Sequence, residues 1–138
     1  MRVCIFGAGA IGGMLGFLLN KQGVDVTLIA RRDHYKAIKK NGLTFISNEY
    51  NIEETQKFKI FDNLDTLGKF DLVINGLKAH SANETAELVS TLLHEKTIIL
   101  PTLNGIPWWF FYKFEGDHAD YQLKSVDPEK KQWKYITP

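Results

Sequence analysis

An α/β fold with a mostly parallel sheet is the architecture this sequence predicts, and three observations carry the prediction. Short apolar runs rich in β-branched residues alternate with stretches whose apolar residues recur at helical spacing. A glycine cluster, Gly7, Gly9 and Gly12, stands where the first apolar run gives way to the first helical stretch. The chain has 138 residues, which suits one domain over 1–138 with one core and leaves no room for a second full domain.

Each element follows from its residues. "RVCIF" (2–6) is short, apolar and rich in strand formers. From Ala10 to Gln22 the residues Ile11, Met14, Leu15, Leu18 and Leu19 recur at helical spacing, and Gly23 stands where a helix-ending glycine belongs. "VDVTLIA" (24–30) returns to alternation and completes a β-α-β unit of about thirty residues. "RDHYKAIKKNG" reads as a short basic helix stopped by Asn41 and Gly42, and "LTFIS" (43–47) as the next strand. Residues 48–69 are polar and mixed, with a short strand around "KFKIF". "DLVING" (71–76) is a buried strand. Ser81–Leu93 follows as a helix: Ser81 and Glu84 stand at capping-box spacing, and Ala82, Ala86, Val89 and Leu93 share a face. "TIIL" (97–100) is a further strand, after which an aromatic run and a polar tail show no strong periodicity.

Composition narrows the function. Seventeen basic residues balance 16 acidic ones for a net charge of +1, so the field that drives nonspecific nucleic-acid binding is missing and nucleic acid is not an expected partner. Cys4 is the only cysteine and lies in an apolar run, which excludes a disulfide framework and a cysteine zinc site and predicts an inert buried thiol. The start of the chain passes from Met1 and Arg2 into a strand and its glycines without the long apolar region of a signal peptide. No apolar stretch approaches membrane-spanning length, so no membrane partner and a cytoplasmic location are expected.

The glycines point to a ligand. Gly7, Gly9 and Gly12 form G-x-G-x-x-G after a strand and into a helix, the context in which that spacing binds a dinucleotide. Gly7 permits the tight turn, Gly9 lets bare backbone approach a pyrophosphate, and Gly12 lets the helix lie close to the strand. The helix start adds free N–H groups and a partial positive charge, so the segment Gly7, Ala8, Gly9, Ala10, Ile11 and Gly12 is the candidate phosphate cradle. Gly16, one turn on, extends the close packing. An interior glycine costs a helix about 1 kcal/mol, which a glycine-rich turn with no ligand would leave unexplained. The predicted fold is therefore a Rossmann-type, doubly wound α/β domain.

The end of the second strand selects the dinucleotide. NAD and FAD sites place Asp or Glu there to hold the ribose hydroxyls. This chain has Arg31 and Arg32, and Asp25 stands at the opposite end of the strand. A guanidinium suits a 2′-phosphate, so NADP(H) is the expected cofactor, with Arg31, first after the strand, as the favoured contact over two merely solvated arginines. Lys78 and Asn104 follow later strands, at the sheet edge where ligands gather in open α/β folds. Taken singly, Lys78 reads as a solvated loop lysine and "NG" as a turn. His34, His80, His94 and His118 lack metal-ligand spacing and read as surface residues, and no metal site is expected.

Together, "GAGAIGG", "LIARRDHYKAIKKNGL", "DLVINGLKAH" and "LNGIPWWFF" resemble the amino-terminal domain of ketopantoate reductase (2-dehydropantoate 2-reductase), and the likeness reaches "SVDPEKKQWKYITP" near the end. That family reduces 2-dehydropantoate to pantoate with NADPH, on the way to pantothenate and coenzyme A. The resemblance implies Gly7, Gly9 and Gly12 at the pyrophosphate, Arg31 at the 2′-phosphate, and Lys78 and Asn104 at the nicotinamide end where a small 2-oxo acid substrate meets the cofactor. Leu103 departs from the polar residue frequent before Asn-Gly. Family members continue with a final strand and a helical domain that supplies a general-acid lysine and a substrate-holding glutamate. These 138 residues show no counterpart, so little turnover is expected of the chain by itself. Two other readings stand beside this one: a relative acting on another 2-oxo acid, and a non-catalytic module that binds NADP(H) or a partner. Residues 108–114, "WWFFYKF", are aromatic at six of seven positions, more than one small core can take, and a self-association contact there is expected.

Overall fold

The computed structural model describes all 138 residues. In chain order the elements are β1 (Arg2–Phe6), α1 (Ala10–Lys21), β2 (Asp25–Ile29), α2 (Arg32–Asn41), β3 (Leu43–Ser47), β4 (Ile52–Gln56), β5 (Lys59–Phe61), β6 (Leu72–Asn75), α3 (Ala79–Ser90), β7 (Ile98–Pro101) and α4 (Lys131–Tyr135). They divide into two compact units: residues 1–76 with 92–102, and residues 77–91 with 103–138.

The first unit holds a five-stranded sheet in the order β5-β2-β1-β6-β7, with every pairing parallel. β1 and β2 each show one exposed residue followed by four buried ones, as strands inside a parallel sheet should. The core gathers Val3, Ile5, Val26, Leu28, Ile38 and Ile74. Cys4 is fully buried, and that burial pushes its thiol up to about 12, which keeps it protonated and unreactive. β2 ends on the edge strand β5, so the short strand expected around "KFKIF" is the true sheet neighbour of β2.

"LTFIS" is a strand, as expected, but not of the main sheet. It pairs antiparallel with β4 in a separate hairpin. The polar sequence of β4 hid this strand, because only every second residue is partly covered. Gly42, at φ +90°, turns the chain into the hairpin, and Phe45 packs on Phe17 of α1 with ring centroids 5.0 Å apart. Asn20 donates to Gln56 at 2.8 Å, and Lys21 pairs with Glu54.

α1 corrects another expectation. Its buried residues are Gly12, Gly13, Gly16 and Phe17; of the apolar stripe, Leu15 and Leu19 pack partly buried against the core, whereas Ile11 and Leu18 are exposed. The helix approaches the sheet through its glycines: a Cβ on Gly16 would stand 2.9 Å from Leu28 Cδ2 and 3.2 Å from Ile5 Cγ1. Contact that close leaves larger neighbours on its flanks.

In the second unit α3 begins two residues earlier than the capping signal implied. Lys78 is its N-cap residue and no side chain caps it, so Ser81 lies inside the first turn. There its carbonyl accepts a hydrogen bond from the Thr85 hydroxyl at 2.8 Å. Ala82, Ala86 and Val89 are buried as expected. α3 packs on α4. The buried Asp127 organises the start of α4 by accepting from the backbone N–H groups of Gln132 and Trp133, at 3.1 and 2.8 Å. Of the aromatic run, Trp108 is buried and donates to the Ile136 carbonyl at 3.3 Å. Trp109, Phe110 and Phe114 are exposed.

Candidate functional site

The strand order reverses between β1 and β6, with β2 and β5 on one side and β7 on the other. Open parallel sheets bind ligands outside the carboxyl ends of the strands at such a switch point. Two glycine turns meet there, one after each strand. Gly7 has φ +105°, a conformation that side chains rarely adopt, and the N–H groups of Gly7 and Ala8 both donate to the Ile29 carbonyl at 3.1 Å. The loop is thereby fastened to the end of β2.

The other two glycines of the fingerprint separate cleanly. A Cβ on Gly12 would stand 2.1 Å from the Gly7 carbonyl oxygen and 3.0 Å from Ile5 Cγ2, so the fold itself requires glycine there. A Cβ on Gly9 would meet no atom within 4 Å, and its φ of −72° suits any residue. Gly9 is exposed at the N-cap of α1, ahead of Ala10, Ile11 and Gly12, whose N–H groups have no partner within the helix. The protein gives no internal reason for glycine at this position, and the space in front of it is open. A diphosphate needs that arrangement: bare backbone, free donors and the positive end of a helix dipole.

Gly76, to which the sequence reading gave no role, is the partner of this turn. Its Cβ would stand 2.6 Å from the Gly7 carbonyl oxygen and 3.1 Å from Gly12 Cα. The signal was present as a glycine directly after a buried strand, but only the pairing of β1 with β6 shows what it approaches.

Arg31 follows β2 by two residues and is the N-cap of α2, so the hydrogen bonds to Ile29 place it beside the glycine turn. Arg31 and Arg32 are exposed, and neither guanidinium has an ion-pair or hydrogen-bond partner within the protein. Arg32 is held at φ +52°, a left-handed conformation that costs a side-chain-bearing residue about 1 kcal/mol. Asp25 stands at the amino end of β2, opposite Arg2 in register. It pairs with Lys59 at 2.6 Å, and the hydrogen bond from that ammonium holds its carboxyl below the usual range. A ribose at the other end of the strand is beyond its reach.

The structure thus brings together Gly7, Ala8, Gly9, Ala10, Ile11, Gly12 and Arg31 in the first unit. Lys78 and Asn104 belong to the second unit, both with exposed side chains, Lys78 at the start of α3 and Asn104 in the bend after β7. All four histidines are exposed. No helix is long and apolar enough to cross a membrane.

Comparison with known proteins agrees with this geometry. Residues 3–107 match the family model of ketopantoate reductase PanE/ApbA. A 2-dehydropantoate 2-reductase of Mesorhizobium japonicum is 37% identical over 139 aligned residues, which take in the whole of this chain and 42% of that protein. A structure from Ralstonia solanacearum MolK2, assigned as a ketopantoate reductase, superposes with a TM-score of 0.90 at 31% identity, over 99% of this chain and 41% of that one. D-mandelate dehydrogenase, solved with NADH and anilino(oxo)acetate, superposes with a TM-score of 0.70 at 31% identity over 78% of this chain and 35% of that one. The chain therefore spans about two-fifths of the curated relative's length. The first two relatives align through the aromatic run and the tail, beyond the residues that the family model covers. With the fingerprint, the parallel sheet and the switch point all inside the matched residues, the chain belongs to the ketopantoate reductase PanE/ApbA family.

Proposed function

We propose that this chain is the NADP(H)-binding portion of a 2-dehydropantoate 2-reductase. The observation that carries the reading is Gly9, a glycine that the fold does not need, standing in open space at the helix start beside two unpaired arginines. The residues present fit the cofactor. Gly7 and Ala8, whose N–H groups are fastened to Ile29, shape the turn, Gly9, Ala10, Ile11 and Gly12 offer the diphosphate their free backbone N–H groups, and Arg31 receives the 2′-phosphate with paired, charge-assisted hydrogen bonds. When bound, NADPH supplies the hydride that reduces the ketone. By family resemblance Lys78 and Asn104 serve the nicotinamide end, where the 2-oxo acid substrate is oriented. The ketone oxygen must be protonated or stabilised as charge develops on it. Resemblance assigns that task to a lysine in the part of the relatives that this chain does not span.

Calorimetric titration with NADPH and NADH, on the wild-type chain and on Arg31→Ala, tests the reading. Micromolar NADPH binding, much weaker NADH binding, and a loss of about 10- to 100-fold for NADPH alone in the variant are expected, as for a charged hydrogen-bonded contact. Equal affinity for both cofactors in the wild-type chain contradicts the NADP assignment. A second reading, a reductase for another 2-oxo acid, is favoured by the likeness to D-mandelate dehydrogenase. Preference for NADH would support it.

A further inference from the structure

A cavity of about 240 Å³ opens beside the glycine turn, walled by Gly9, Ala10 and Met14 of the loop and α1, by Leu43 and Thr44 of the hairpin, and by His34 of α2. Neither Arg31 nor Arg32 lines it, and His34 is its only ionisable wall residue. The imidazole makes no hydrogen bond, ion pair or ring contact with the protein, so it is free to meet a ligand. We propose that His34 is a pH-dependent phosphate ligand of the dinucleotide site. This inference rests on the cofactor reading above and deepens it by adding a third cation, one that switches off.

The cavity walls leave a bound phosphate without an anionic rival for the imidazolium. On its own element, His34 is followed by Lys36, which pairs with Asp33 at 3.5 Å, and preceded by the unpaired Arg31 and Arg32. The walls from α1 and β3 carry no charge. From the β5 side, Lys59 is held by Asp25, and Asp62 acts on Lys39. No carboxylate therefore competes with a phosphate for the imidazolium from the cavity walls. In its protonated form the imidazole donates a charge-assisted hydrogen bond to a phosphate from the cavity wall. In its neutral form that charge is gone while the two arginines remain.

The test compares Kd values for NADPH and NADH on wild type, His34→Gln and His34→Lys at about pH 6 and about pH 8.5. Taking each variant relative to wild type at the same pH cancels the titration of the cofactor's own phosphate. His34→Gln is expected to weaken binding roughly tenfold at the lower pH and less than about twofold at the higher. His34→Lys keeps its charge and should bind at least as tightly as wild type at the higher pH. A loss confined to NADPH locates the contact at the 2′-phosphate, and a loss shared by NADH locates it at the diphosphate. Either supports the proposal. A ratio near one at both pH values, or the same loss at both, overturns it while leaving the NADP reading intact. Failure of the wild-type chain to bind either cofactor overturns both. Because the side chain is exposed and unbonded, the variants should melt with wild type, and a thermal scan checks that they do.

Discussion

Gly9 and Gly12 stand three residues apart in one motif, yet their substitutions should have opposite signatures. An alanine at position 12 drives its Cβ to 2.1 Å from a backbone oxygen, so Gly12→Ala should cost about 1–3 kcal/mol as the turn and helix are forced apart, read as a shift in the denaturation midpoint. An alanine at position 9 meets nothing and relieves the unfolded chain of some entropy. Gly9→Ala should therefore melt no lower than wild type while NADPH binding weakens at least about tenfold. A Gly9→Ala chain that binds normally would show that the bare backbone there serves no ligand. The fingerprint spacing was legible in the sequence, but its division into a folding glycine and a binding glycine was not, because that depends on which atoms lie across the gap.

At the level of elements, the start of β1 is pinned by the residue just before β6. Asp71 accepts from the Arg2 backbone N–H at 2.6 Å, and that hydrogen bond, aided by the chain's amino group and His94, holds its carboxyl below the ordinary value. A carboxylate with a depressed folded pKa stabilises fully above the unfolded carboxylate range and loses that contribution as pH falls through the folded value. Asp71→Asn should therefore lower the thermal midpoint near neutrality, and the gap to wild type should close as the pH falls below the ordinary carboxylate range. An equal gap at both ends of the scan would mean that the charge contributes nothing. Strand identities were readable here from apolar runs and β-branching. β4 and the separate hairpin were not, since half-covered polar strands carry no such signal.

At the scale of the whole chain, the aromatic run leaves three large rings exposed close together in sequence. Trp109, Phe110 and Phe114 keep 41%, 48% and 48% of their surface accessible, far more than core residues would, while Trp108 is consumed internally. Apolar exposure of this kind favours association. Sedimentation velocity across a range of concentrations should show concentration-dependent self-association, reduced by Phe110→Ser with Phe114→Ser. A single monomeric species throughout would show that the face makes no such contact.

Local events are written directly in the residues: strands where apolar β-branched residues cluster, helices where the period lengthens, the G-x-G-x-x-G turn, and arginine where an acidic residue would follow β2. These are legible because propensity, periodicity and turn chemistry act within a few residues. Which of those pieces meet was settled by long-range packing. It set the sheet order that makes a switch point of β1 and β6, the approach of Gly76 to Gly7, the close seating of α1 on its glycines with Leu15 and Leu19 packed beside them, and the presence of His34 in the wall of the cavity. Those outcomes turn on ångström-scale packing between residues far apart in the chain, where steric fit and not local preference selects the arrangement.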